Sequence, residues 1–224
     1  MLWGALSSAA TPPDLKLFCA NYTAIIEGLP ITVKMTRKLK KIGDDRFQFT
    51  SSATSAIASV KEESEFSLNG NQLIPIRYGY QRAGLIGKKD SFVEFDFEKN
   101  LYQHNKGTST LIEKTLDMLS YQYQLKLDLK ILSVSGEPLK HLVYQVADTE
   151  KIKEYRFKAL GEEIIKTPLG RILTLKIERI KKNDSERSTT LWLAKNHDYL
   201  LTKLQQSNDG KKFELNLESF TFTE

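Results

Sequence analysis

The sequence predicts a mainly β, α+β fold: a large antiparallel sheet with one helix packed against it. Apolar and polar residues alternate with period two in segment after segment, and the segments are joined by short turns rich in Gly, Asn and Asp. Only one stretch, around 117–131, competes for a helix. Connections this short join antiparallel neighbours, because a parallel pair needs a long crossover. Around eight or more such strands make a single large sheet.

Taken in order, the strand signals begin with the apolar run Leu17-Phe18-Cys19, where the cysteine reads as a buried small hydrophobe rather than a nucleophile. It is the one cysteine of the chain, so no intramolecular disulfide can form. The residues before it lack the small side chains of a lipoprotein cleavage site. Over 31–39, Ile31, Val33 and Met35 alternate with Thr32, Lys34 and Thr36, the pattern of a strand with one wet face. A turn at Gly43-Asp44-Asp45 follows, and Phe47 and Phe49 restart the alternation. Asn69-Gly70-Asn71 then closes a hairpin, since its turn positions need residues that tolerate positive φ. The same grammar recurs over 74–81, 92–97, 142–146, 155–160, 172–180, 189–194 and 213–222. Pro168-Leu169-Gly170 is turn chemistry delivering the strand that begins near Arg171.

The segment 119–131 carries two readings. Its odd positions are Leu, Tyr, Tyr, Leu, Leu, Leu and Ile, and its even ones are Ser, Gln, Gln, Lys, Asp and Lys, which taken alone is a long strand. Against that, Asp117 is a good N-cap, and no Gly or Pro interrupts the run to Lys130, which is rich in Leu, Lys and Gln. As a helix it would place Leu119, Tyr123 and Leu127 on one face and Tyr121, Leu125 and Leu129 on another. Both faces then need burial, so the helix has to lie against or inside a curved sheet.

With 224 residues, 40% of them hydrophobic, the chain can bury a substantial core. We expect residues 15–224 to form a single β-rich domain, and residues 1–14 to be a signal-peptide remnant or a disordered N-terminus. MLWGALSSAATPPD joins a short apolar patch to small residues, Ser8 and Ala10 among them, and then to Pro12 and Pro13. No segment reaches the roughly 20 apolar residues of a membrane-spanning helix, so no transmembrane anchor is expected. The net charge of +5 comes partly from basic pairs at turns: Lys40-Lys41, Lys88-Lys89, Lys181-Lys182 and Lys211-Lys212. Charge at strand ends blocks edge-to-edge aggregation. Nucleic-acid binding needs such charge interleaved with exposed aromatics, so no nucleic-acid partner is expected.

No catalytic residue, metal set or cofactor motif stands out. His104, His141 and His197 lie apart without metal-type spacing, and there is no phosphate loop, nucleophile elbow or zinc-protease helix. The neighbouring acids Glu62-Glu63 and Glu162-Glu163 would point to opposite sides of a strand, so no cooperating carboxylate dyad is expected from either pair. Asp96, between Phe95 and Phe97, reads as a polar-face residue or a buried acceptor. Trp192 falls on the opposite strand face from Leu191 and Leu193. It joins Tyr121 and Tyr123 as a candidate ligand contact, with core packing as the structural alternative for each.

Several pieces, in this order and spacing, carry a resemblance: PIRYGY at 75–80, Phe95-Asp96-Phe97, DMLS at 117–120 followed by 121–126, and Tyr155-Arg156-Phe157 with Gly161-Glu162-Glu163. Thr167-Pro168-Leu169-Gly170 and Leu191-Trp192-Leu193-Ala194 complete the set. Together they resemble the bacterial exported family known as domain of unknown function number 3108, over nearly everything from Leu17 onward. Members of that family often carry proline after the aspartate that matches Asp117, a helix-start pattern, where this chain has Met118. The resemblance selects a helix near 116–130 over the strand. It implies a secreted or periplasmic protein with a curved, incomplete barrel similar to lipoprotein-carrier folds. The function expected is a non-enzymatic binding module that shelters a lipid or an acylated ligand, with lipid or another envelope protein as partner. The alternatives are an assembly protein with a filled interior, or a hydrolase acting on envelope glycan or lipid.

Overall fold

The computed structural model describes residues 15–28, 32–85, 87–136, 141–180, 188–208 and 210–223. Its chain runs through β1 (Leu17–Ile26), β2 (Thr32–Lys41), β3 (Arg46–Thr54), β4 (Ala58–Asn69), β5 (Gln72–Gly84), β6 (Lys89–Asp96), β7 (Leu101–His104) and β8 (Gly107–Thr110). The helix α1 (Ser120–Ser135) follows. The return passes through β9 (Leu142–Ala147), β10 (Ile152–Thr167), β11 (Gly170–Ile180), β12 (Ser188–Ala194), β13 (Leu200–Asn208) and β14 (Lys211–Thr223), with a 3-10 turn at Lys195–His197 before β13.

All fourteen strands form one antiparallel sheet in the order β8-β7-β6-β5-β4-β3-β2-β1-β14-β13-β12-β11-β10-β9. The chain meanders from the middle out to one edge, crosses to the opposite edge through α1, and meanders back until β14 pairs with β1. Laid flat, fourteen strands about 4.8 Å apart would span about 60 Å. Yet α1, about 24 Å long at its 16 residues, is bonded to β2, β5 and β9, and Asp117 just before it to β4. The sheet therefore curls around the helix, and the core is the concave space between them.

Alternation sets which side chains enter that space. On β1, Phe18, Ala20, Tyr22 and Ala24 are buried, while Asn21 and Ile25 are exposed. On β2 the lysines and threonines form the wet face, as the pattern predicts. The expected hairpin at Asn69-Gly70-Asn71 joins β4 to β5 with Gly70 at φ +57°. The expected strand at 155–160 extends on to Thr167, because a bulge at Ala159/Gly161 absorbs the break in alternation and pairing with β11 resumes beyond it. Of the basic pairs, Lys40-Lys41 ends β2, Lys89 opens β6 and Lys211-Lys212 opens β14. Lys181-Lys182 and residues 1–14 lie outside the described residues.

Two expectations need correction. The helix is Ser120–Ser135 rather than 116–130: with no Gly or Pro before Gly136, it continues until that glycine, at φ +70°, stops it and donates its N–H to the Leu132 carbonyl. At its other end Leu119, not Asp117, stands at the first flanking position, but the capping chemistry still belongs to Asp117. Asp117 Oδ1 accepts the N–H groups of Leu119 and Ser120, each at 2.8 Å. The second correction is Cys19, which is half-buried on the outward face of β1 instead of buried, because Phe18 and Ala20 take the inward positions.

Candidate functional site

Inside the curl, α1 does not fill the concave space. A cavity of about 240 Å³ remains between it and the strands. Its apolar walls come from Phe18 and Tyr22 on β1, Phe49 on β3, Leu191 and Leu193 on β12, and Leu201 on β13, with Tyr121 and Tyr123 supplied by the helix. Buried polar bonds hold the helix over it. Gln124 Oε1 accepts the Leu73 N–H at 2.8 Å while its Nε2 donates to the Asn71 carbonyl at 2.8 Å. Tyr144 donates its hydroxyl to Asp128 at 2.7 Å, and Tyr22 donates to the Leu201 carbonyl at 2.9 Å. Burial pushes the Tyr22 phenol up to about 12, so it stays a donor.

Charged groups converge on the same cavity. Arg37, on an inward position of β2 and 7% exposed, lies over the Phe49 ring at 4.8 Å. It donates from Nη2 to Gln122 Oε1 at 2.6 Å. Gln122 is fixed in that orientation because its own Nε2 donates to the Met118 carbonyl. Arg179, from β11, lies 4.6 Å over the Tyr155 ring. Among the described residues neither arginine is within ion-pair distance of a carboxylate. Glu62 also lines the cavity. Burial pushes its carboxyl above the usual range, opposed by the Tyr78 hydroxyl bonded to it at 2.7 Å and by the field of Arg37.

A second charged cluster adjoins the cavity through Lys126. Asp198, in a left-handed conformation at φ +53° just after the 3-10 turn, takes Lys126 Nζ at 2.8 Å and Lys130 Nζ at 2.9 Å. Burial alone would raise the Asp198 carboxyl, but Lys126 and Lys130 hold it below the usual range. Burial likewise depresses the Lys126 ammonium, which Asp198 opposes. The same ammonium sits over the rings of Phe18 and Tyr123 at 5.0 and 4.9 Å.

Of the three candidate ligand contacts, Tyr121 and Tyr123 both line this cavity and Trp192 does not. Trp192 has the opposite parity to Leu191 and Leu193, as the strand pattern predicts. It lies on the outer face, where its Nε1 donates to Glu163 at 3.1 Å and Lys176 and Lys203 cover its ring. There it borders an outer depression of about 620 Å³ against the β10–β11 hairpin, with Lys166, Lys203 and Asn216 among its walls. His104 is buried against Tyr102 and bonded to Ser109, while His197 lies beside Phe220. Asp96, the last residue of β6, accepts the Lys99 backbone N–H and pairs with its ammonium across the turn that follows. Glu62 and Glu63 do diverge, Glu62 into the cavity and Glu63 toward an outer hollow.

Sequence reasoning missed Arg37 and Arg179. The signal was present: in the alternation Val33, Met35, Arg37, Leu39 the arginine occupies an inward position, and so does Arg179 after Leu175 and Ile177. A cation on the apolar parity of a strand is a candidate for a buried task.

No helix among the described residues is long and apolar enough to cross a membrane. A family model described as "Protein of unknown function (DUF3108)" matches residues 21–216. No curated protein matches the sequence. Among solved structures, a β-barrel-like protein of the DUF1849 family from Brucella abortus superposes with a TM-score of 0.60 at 7% identity, covering 94% of this chain and 99% of that one. A DUF1089 family protein from Pseudomonas aeruginosa matches with a TM-score of 0.38 at 9% identity, covering 90% and 93%. A putative outer membrane lipoprotein-sorting protein domain from Vibrio parahaemolyticus matches with a TM-score of 0.27 at 14% identity, covering 93% and 86%. The likeness to the Brucella protein is one of fold alone.

Proposed function

The chain belongs to the family described as protein of unknown function (DUF3108), and from that premise we propose that it is an exported, non-enzymatic binding module that shelters the apolar part of a lipid or an acylated partner. The observation that carries this reading is the aromatic and aliphatic cavity between α1 and the concave face, with a few polar groups converging on it. The acids nearest the helix are committed to structural bonds: Asp117 to Ser64, Asp128 to Tyr144 and Glu62 to Tyr78. The export part rests on residues 1–14, whose small residues and Pro-Pro pair match the tail of a signal peptide, and points to the periplasm or to secretion.

Protein purified from a bacterial envelope tests the reading. Native mass spectrometry is expected to find retained hydrophobic small molecules, and the emptied protein is expected to take up a fluorescent fatty acid. One observation favours a second reading. The cavity's 240 Å³ falls below the roughly 300–1,000 Å³ of most small-molecule sites, as in an assembly protein whose interior is largely filled by its own helix. Clean apo spectra without fatty-acid uptake would favour that assembly role.

A further inference from the structure

Cations outnumber carboxylates around the cavity. Among the described residues that line it, Glu62 is the one carboxylate beside Arg37 and Arg179, and Lys126, which also lines it, already shares Asp198 with Lys130. Arg37 is the informative member. It is more than nine-tenths buried, its Nη2 bonds only a neutral amide oxygen, and its Nε has no hydrogen-bond partner among the described residues. A buried guanidinium is normally matched by an anion, because removing it from water without one is costly. Here Gln122 and the Phe49 ring hold it in place without neutralising it. Tyr121 lines the same cavity as Arg37, Arg179 and Glu62, and no hydrogen bond to its hydroxyl is found among the described residues.

Resting on the sheltering role proposed above, we infer that the ligand is a monoanionic amphiphile: its oxyanion head group binds Arg37 beside Tyr121 and Arg179, and its apolar tail lies against Leu191, Leu193 and Leu201. A guanidinium presents a planar fork of donors that matches the paired oxygens of a carboxylate or a phosphate ester. One negative charge balances the two arginines against Glu62. A second would meet the Glu62 carboxylate.

Calorimetric titration with decanoate, decyl methyl phosphate and decanol, the first two monoanionic at neutral pH, separates this inference from the reading it rests on. Wild type is expected to bind decanoate about ten-fold or more tightly than decanol, the scale of one charge-assisted hydrogen bond. Arg37→Gln should remove that preference and leave decanol binding unchanged. Should Arg37→Gln fail to fold, Arg179→Gln and the wild-type ratio decide. Tighter binding of decyl methyl phosphate than of decanoate assigns the head to a phosphate diester, and the reverse order to a carboxylate. Equal affinity for decanoate and decanol in wild type would overturn the anion site while leaving the apolar shelter standing. Binding of none of the three would overturn both.

Discussion

Ser64 on β4 donates its hydroxyl to Asp117 Oδ2 at 2.6 Å, so the carboxylate that caps α1 also ties the helix to the sheet. Both residues are fully buried.

Asp117 should therefore matter twice. Asp117→Ala leaves the Leu119 and Ser120 N–H groups uncapped and the Ser64 hydroxyl without its acceptor. Losing the cap costs about 0.5–2 kcal/mol and a buried unsatisfied group about 1–3 kcal/mol, so urea denaturation should show a loss of about 2–4 kcal/mol. Asp117→Asn keeps an acceptor oxygen for the two N–H groups and should lose clearly less. Equal stability for wild type, Ala and Asn would show that this turn does not anchor the helix.

Glu62 gives a pH test with a definite sign. Burial raises its carboxyl above the ordinary value of 4.5, so at pH values between 4.5 and the folded value the native protein holds a proton that the unfolded chain has lost. Stability therefore falls as pH rises through that window. Glu62→Gln removes this dependence and keeps an acceptor for Tyr78. In urea titrations from pH 4.5 toward about pH 8, the variant should gain on wild type as pH rises, and the gap should close at lower pH. Asp117 and Asp128 are raised by burial too and both proteins retain them, and because the Asp117 charge acts on Glu62 the difference reports Glu62 together with its coupling to Asp117. A pH-independent difference would contradict the burial.

The Asp198 cluster predicts a coupled pair. Asn tolerates the left-handed backbone at φ +53°, so Asp198→Asn removes the charge and little else. It should cost about 3–5 kcal/mol, because Lys126 is left buried without its counter-ion. Adding Lys126→Met should recover part of that loss. A double variant as unstable as the sum of the single ones would show that the two side chains act independently.

These contacts also explain which parts of the fold were legible in the sequence. Strands with one wet face announced themselves, as β2 does with Thr32, Lys34 and Thr36 outward. The parity argument placed Trp192 opposite Leu191 and Leu193 correctly, but could not say which face was concave, and so grouped it with Tyr121 and Tyr123. The helix was harder to read because it has almost no wet face. Tyr123, Leu125, Leu127 and Leu129 are buried, and so are Gln124 and Lys126, whose polar ends reach the β4–β5 turn and Asp198. Such a helix loses the 3.6-residue rhythm, and its sequence can imitate a strand. The partner of Arg37, unlike its inward parity, was hidden for a related reason. Only the folded sheet brings Arg37 together with Gln122 of α1, 85 residues away.

Filling the cavity tests the account most directly. Leu204, half-buried at the cavity wall, can be replaced by Trp, while Trp192→Phe alters only the outer face. Titrating a fluorescent fatty acid into folded wild type, Leu204→Trp and Trp192→Phe should show saturable one-to-one binding by wild type and Trp192→Phe, and at least about ten-fold weaker binding by Leu204→Trp. Unchanged binding by Leu204→Trp, or loss of binding by Trp192→Phe alone, would contradict a ligand site beneath α1.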